Sequence, residues 1–150
     1  MHACVASGAG FLIAVLWFDL MFDVQTRKHA GDALPAEVLA SISAYYRRVT
    51  IEAYPMNRLI AVVMILTLLA IVTEIVRNVD HWWIGWGSLA AAASAIGLAR
   101  VRSIPNAIRL GRAADSPEVQ TGLARAICRD HIYCLAAIAV VLGLQLSAQF

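Results

Sequence analysis

The sequence predicts an all-α polytopic membrane protein. It would form a single integral domain, a four-transmembrane-helix bundle with an amphipathic helix before span 2 and an extended span 4. Three observations predict this. Residues 59–76 form an apolar stretch whose one charge, Glu74, lies near its end, and a helix of that length covers about 27 Å, close to the hydrocarbon thickness of a bilayer. Residues 3–22, 82–99 and 132–146 have the same character. The composition is 61% hydrophobic and 15% charged, against roughly 25% charged in a soluble domain.

The first stretch lacks a basic leader, and Asp19 and Asp23 stand where a cleavage site would need small residues. It therefore reads as a retained span rather than a signal peptide. Cys4, Gly8, Leu12, Val15, Asp19 and Asp23 share one helical face, expected to turn toward the other helices. Residues 23–34 are polar and read as a loop. Pro35 and Glu37 then fit a helix start, with proline in the first turn and an acid at the positive end of the dipole. Val38, Leu39, Ile42, Tyr45, Tyr46 and Val49 recur at helical spacing beside Arg47 and Arg48, the pattern of an amphipathic helix at the membrane surface. Pro55 interrupts it, and Asn57 and Arg58 mark entry into span 2.

Residues 77–80 read as a short polar turn before Trp82, Trp83 and Trp86, an interfacial aromatic belt. Span 3 carries Gly87, Ala91 and Ala95 every four residues, a stripe expected to admit a neighbouring backbone. It ends at Arg100, Val101 and Arg102, and residues 103–115, with Pro105 and Gly111, read as a second polar connection. Ser116, Pro117 and Glu118 then match an N-cap, a first-turn proline and a first-turn acid. The helix they open is expected to run unbroken through Arg129, Asp130 and His131 into span 4. Glu37, Val38, Arg48 and Ile51 match Glu118, Val119, Arg129 and Ile132 at one offset. Two helical hairpins related by a pseudo-two-fold along the membrane normal would give that match, as would chance.

Every lysine and arginine except Arg77 falls at the end shared by the close of spans 1 and 3 and the start of spans 2 and 4. The positive-inside rule makes that end cytoplasmic and puts both termini outside, in an arrangement suited to a bacterial inner (plasma) membrane. A basic cytoplasmic face attracts anionic lipid. The net charge of +2 is too small to imply nucleic acid. Cys4, Cys128 and Cys134 form no CxxC, which argues against a disulfide framework or a cysteine zinc site. No phosphate loop, GxSxG, HExxH or dinucleotide fingerprint is present.

A charge inside a span costs roughly 2.5–3.5 kcal/mol at the helix centre, so each intramembrane polar group asks for a reason. Asp19 and Asp23 lie one turn apart at the cytoplasmic end of span 1, level with Arg129, Asp130 and His131, with Asn57 and Arg58, and with Arg100. As a site, this mouth would use His131 as general base, oriented by Asp19 or Asp23. Asn57, Arg58, Arg100, Arg129, Tyr45 and Tyr46 would contact the substrate. The same carboxylates and histidine offer donors to a divalent metal, although no metal ligand is assigned and the cofactor is unknown. The alternative makes the acids interfacial partners of arginine. Tyr45, Tyr46, Trp17 and Phe18 would line a pocket for a flat apolar molecule or anchor at the headgroups. Glu74 is expected to pair with Arg77 at i,i+3, or else to form a proton or cation site with His81 or His2. A bis-histidine haem is not expected, since neither end encloses a histidine pair.

The turn Ser103, Ile104, Pro105 and Asn106, the Arg-rich helix reaching His131 and the last apolar span, echoed by Tyr54, Pro55, Met56 and Asn57, resemble the anthrone oxygenase-like family of small four-helix membrane proteins. The resemblance covers mainly the C-terminal part, and the chain departs from it in lacking a tryptophan shortly before His131. It implies a four-helix membrane fold and action on polycyclic aromatic anthrones without an evident cofactor.

Three function classes stay open: a membrane-embedded enzyme or binding protein for a hydrophobic (aromatic or isoprenoid-like) molecule, an accessory or assembly subunit docked on other membrane helices, and a small oligomeric transporter. Expected partners are the bilayer, a hydrophobic small molecule, and another membrane protein or a second copy.

Overall fold

Inside hydrocarbon every backbone N–H and C=O must find its partner within the protein, and a helix does this with its own ladder. The computed structural model describes residues 2–77 and 82–148, and among them there is no strand. The helices are α1 (His2–Asp23), α2 (Ala36–Arg47), α3 (Tyr54–Arg77), α4 (Trp82–Leu98), α5 (Ile104–Arg112) and α6 (Pro117–Ser147). Among the described residues four helical segments are long and apolar enough to cross a membrane, so the chain is built as an integral membrane protein. α1 packs on α3 and α6, and α4 packs on the same two. The result is a four-helix ring in which every neighbour runs antiparallel.

The ring differs from a soluble bundle in its outer surface, which is apolar like its centre. Val62, Ile65, Leu66, Leu69, Val72 and the tryptophans of α4 are exposed, while the centre holds Val5, Ala9, Leu12, Ile71, Ala92, Ala95, Ile138 and Val141. Lipid tails are as apolar as leucine, so close van der Waals contact rather than the hydrophobic effect holds these helices together. Glycine makes the contact close. A methyl at Gly8 would collide with Thr67, and one at Gly85 would lie 2.6 Å from Ile75 Cγ1.

A second core sits at the basic end, outside the ring. Leu34, Leu39, Ile42 and Tyr46 pack against Ala107, Leu110, Ala124 and Ile127, so α2 and α5 cap the first half of α6. Gly111 sets the spacing of α5 on α2, since a methyl there would lie 2.8 Å from Arg47 N.

Several local expectations change. The expected connection at residues 103–115 is helical as far as Arg112: α4 continues through a π-turn, Ala99–Ser103, into α5. The Ile104 N–H reaches back to the Ala99 carbonyl, and this widened turn takes the proline ring of Pro105 without the clash an α-helical turn would impose. A matching π-turn, Arg48–Glu52, precedes Pro55, but there the chain does break, at Ala53 (φ −84°, ψ 55°). The true connection to α6 begins at Ala113, whose φ of 49° places it in the left-handed region. Part of the supposed loop at residues 23–34 is also helical, a 3₁₀ extension of α1 over Val24–Lys28. As expected, α6 runs unbroken from Pro117.

Two packing faces also shift. On α4 the buried line is Gly85, Ser88, Ala92 and Ala95 rather than Gly87, Ala91 and Ala95. A strict four-residue spacing drifts around a helix of 3.6 residues per turn, whereas alternating threes and fours stay on one side. On α1, Cys4 is exposed and Val5, Ala9 and Leu12 face inward. The two segments of the offset match differ in build, because α2 is separated from its span and α6 is not. Of the expected turn at residues 77–80, Arg77 is still the last residue of α3, and residues 78–80, with His81, lie outside the described residues.

Candidate functional site

At the basic end, α1 contributes Asp19 and Asp23, four residues apart on one face of its last turns. Neighbouring tyrosines of α2 reach them: the Tyr45 hydroxyl donates to Asp19 Oδ1 at 2.7 Å, and the Tyr46 hydroxyl donates to Asp23 Oδ1 at 2.6 Å. From α6, His131 Nδ1 lies 2.7 Å from Asp23 Oδ2. Asp23 is fully buried, and Tyr46 nearly so. Phe22 stacks on Tyr45, with ring centroids 4.0 Å apart and planes 11° from parallel.

The electrostatics fix the donors. Burial first, and then the Asp23 carboxylate, pushes the Tyr46 phenol well above its ordinary value. Burial and Asp19 do the same to Tyr45. Both phenols therefore keep their protons and donate to the acids. With one Asp23 oxygen taken by Tyr46, the other accepts from His131 Nδ1–H, and in the neutral ring this leaves the lone pair on Nε2. Nε2 has no hydrogen-bond partner among the described residues, and 10% of the His131 side chain stays exposed. A base held by a buried carboxylate, with its free nitrogen at an opening, can take up a proton from a bound molecule.

Of the residues expected at this mouth, the fold joins His131, Asp19, Asp23, Tyr45 and Tyr46. It does not bring in the others. Asn57 donates to the Thr50 carbonyl at 3.1 Å and caps the break between α2 and α3. Arg58, Arg100 and Arg129 are exposed. Asp130, next to His131, turns away from the site to Arg102 Nε at 3.1 Å and Ser103 Oγ at 3.4 Å, tying the π-turn to α6. Among the described residues no group of three or more His, Cys, Asp or Glu is placed to hold a metal ion.

No family model matches the chain, and no curated protein or solved structure is similar to it.

The opposite end carries a second buried polar group, which corrects the expected Glu74–Arg77 pair. Arg77 is exposed, whereas Glu74 turns inward and is only 2% exposed. Its Oε1 accepts from Gln145 Nε2 at 3.3 Å and lies 3.4 Å from His2 Nδ1. Gln145 also joins Ser88 Oγ at 3.0 Å and His2 Nδ1 at 2.9 Å. Glu74 Oε2 is buried without a hydrogen-bond partner among the described residues. The sequence reading passed over Ser88 and Gln145. A signal existed: His131, Cys134, Ile138, Val141 and Gln145 form one buried line at spacings of three and four, so a polar Gln145 on that line needs an internal partner.

Proposed function

We propose that the protein is a membrane-embedded enzyme that removes a proton from a hydrophobic molecule entering from the bilayer, with His131 Nε2 as base. One observation carries this reading. A fully buried Asp23 holds the His131 ring through Nδ1 and is itself held by Tyr46, while Nε2 is left without a partner among the described residues. Asp23 sets the tautomer and orientation of the ring, Tyr46 fixes Asp23, and the Tyr45–Asp19 pair with Phe22 forms the neighbouring wall. The asymmetry of lysine and arginine supports placing this end in the cytoplasm, with both ends of the chain on the far side of a bacterial inner membrane.

The resemblance to the anthrone oxygenase-like family suggests a polycyclic aromatic substrate with an acidic C–H, and anthrone is a direct probe. Protein purified in mild detergent should accelerate the oxidation of anthrone by dissolved oxygen, followed by absorbance. A positioned base contributes about 10²–10⁴-fold, so His131→Ala should lose most of the acceleration, and Asp23→Asn a large part through the wrong tautomer. Folded wild type no faster than His131→Ala on anthrone, together with no small molecule extracted from the wild-type preparation, would remove the enzyme reading.

A further inference from the structure

Beside this site, on the surface of the basic end, α1's 3₁₀ extension and α6 flank an open cleft of about 500 Å³. Its lining includes Arg27, Arg125, Arg129 and His29, and contains no acid. The wall is built rather than accidental: one Arg125 nitrogen donates to the carbonyls of His29 at 2.9 Å and Gly31 at 2.6 Å, strapping the loop onto α6. Elsewhere Arg47, Arg102 and Arg109 have carboxylate partners. Neither Arg27 nor Arg129 has one among the described residues, and both are exposed. The floor is Cys128 and the lip is Ile132. Above the lip begins the apolar belt, where Met21, Val24 and Tyr133 are exposed.

We infer that this cleft binds a phosphate-type anion carried by an amphiphile, with the headgroup held by Arg27 and Arg129 and the tail running along the apolar belt. Three guanidinium groups without a carboxylate partner among the described residues call for an anion. The planar fork of arginine matches the several acceptor oxygens of a phosphate better than it matches a single point of charge. The volume lies within the range of small-molecule sites, about 300–1,000 Å³. The boundary position, basic on one side and apolar on the other, selects a molecule with both characters. Binding here requires nothing of His131 or Asp23, so this inference stands apart from the catalytic reading.

The test is native mass spectrometry of the full chain in mild detergent, titrated with phosphatidylglycerol and, separately, with phosphatidylcholine. Wild type should retain one phosphatidylglycerol and no phosphatidylcholine. Arg27→Gln/Arg129→Gln should weaken retention at least about tenfold, since two charge-assisted contacts are worth more than that step. Arg27→Lys/Arg129→Lys, which keeps the charge but removes the fork, should fall between. Arg48→Gln/Arg112→Gln, equally exposed at the same end but outside the cleft, should match wild type and so exclude general surface attraction. Inorganic phosphate that displaces the lipid at millimolar concentration would assign the same anion chemistry to a soluble source, and phosphate without effect assigns it to the lipid. Equal retention of the two lipids, or equal retention by wild type and both cleft variants, overturns the inference.

Discussion

Asp23 is the hinge of the site, and its bond to Tyr46 can be weighed by a double-mutant cycle. Tyr46→Phe removes a hydroxyl that donates to a buried carboxylate at 2.6 Å, and a hydrogen bond to a charged acceptor is worth about 1.5–3 kcal/mol. Asp23→Ala removes the acceptor of both Tyr46 and His131. It orphans two buried donors at about 1–3 kcal/mol each, for a total of about 3–5 kcal/mol with the small cavity it leaves. In the Asp23→Ala background the phenol faces nothing, so adding Tyr46→Phe should then cost little or even restore stability. The pair should therefore couple by about 2 kcal/mol, within the range found for residues in direct contact. Helical circular dichroism through a titration of dodecyl sulfate into mixed micelles measures all four corners of the cycle. Single effects that add to within about 0.5 kcal/mol would refute the bond.

Two further predictions follow from packing and from the far polar cluster. Gly111→Ala should destabilise by about 1–3 kcal/mol, because its methyl meets the α2 backbone at Arg47. Gly122→Ala, in the open on α6, should stabilise by up to about 1 kcal/mol through helix propensity; the same thermal melts would read both, and equal shifts would dismiss the close approach. Gln145→Leu should cost about 2–4 kcal/mol by stripping the donor from Glu74 and the partner from Ser88. Adding Glu74→Leu, which takes away the buried carboxyl group left without its donor, should recover part of that loss, and a neutral Gln145→Leu would show that the cluster does not hold the helix ends together.

The four crossing helices were legible because hydropathy over eighteen residues is a coarse signal that survives local irregularity. The prolines were harder. Pro55 and Pro105 each read as a break, yet only the first coincides with one, because a π-turn can take up a proline ring and keep the helix going. At the basic end, Asp19, Asp23, Tyr45, Tyr46 and His131 were recognisable as polar groups at one level. Which acid holds the histidine depends on how far α1 slides along α6, since the two acids lie about 6 Å apart along the helix axis, and spacing does not give that register. The arginines of that level shared its depth but not its direction, and they point outward. At the far end Glu74 was visible as a charge, but its partners were not: Ser88 and Gln145 are uncharged and vanish into an apolar average.

The wide turn at Ala99–Ser103 carries one residue more than an α-helical turn, and one residue is about 100° of rotation about the helix axis. Before it, Ser88, Ala92 and Ala95 face the spanning helices; after it, Ala107, Leu110 and Gly111 face α2. A single rod thus aims in two directions, and the angle between them is set by a count of residues. Deleting one residue there would straighten the ladder, swing Leu110 and Gly111 off α2, and draw the paired tyrosines from the acids of α1 with every side chain of the site still present. Besides the Arg102 and Ser103 bonds to Asp130, this segment contributes length. A substitution scan would report those bonds and miss the length; a scan of one-residue deletions would not.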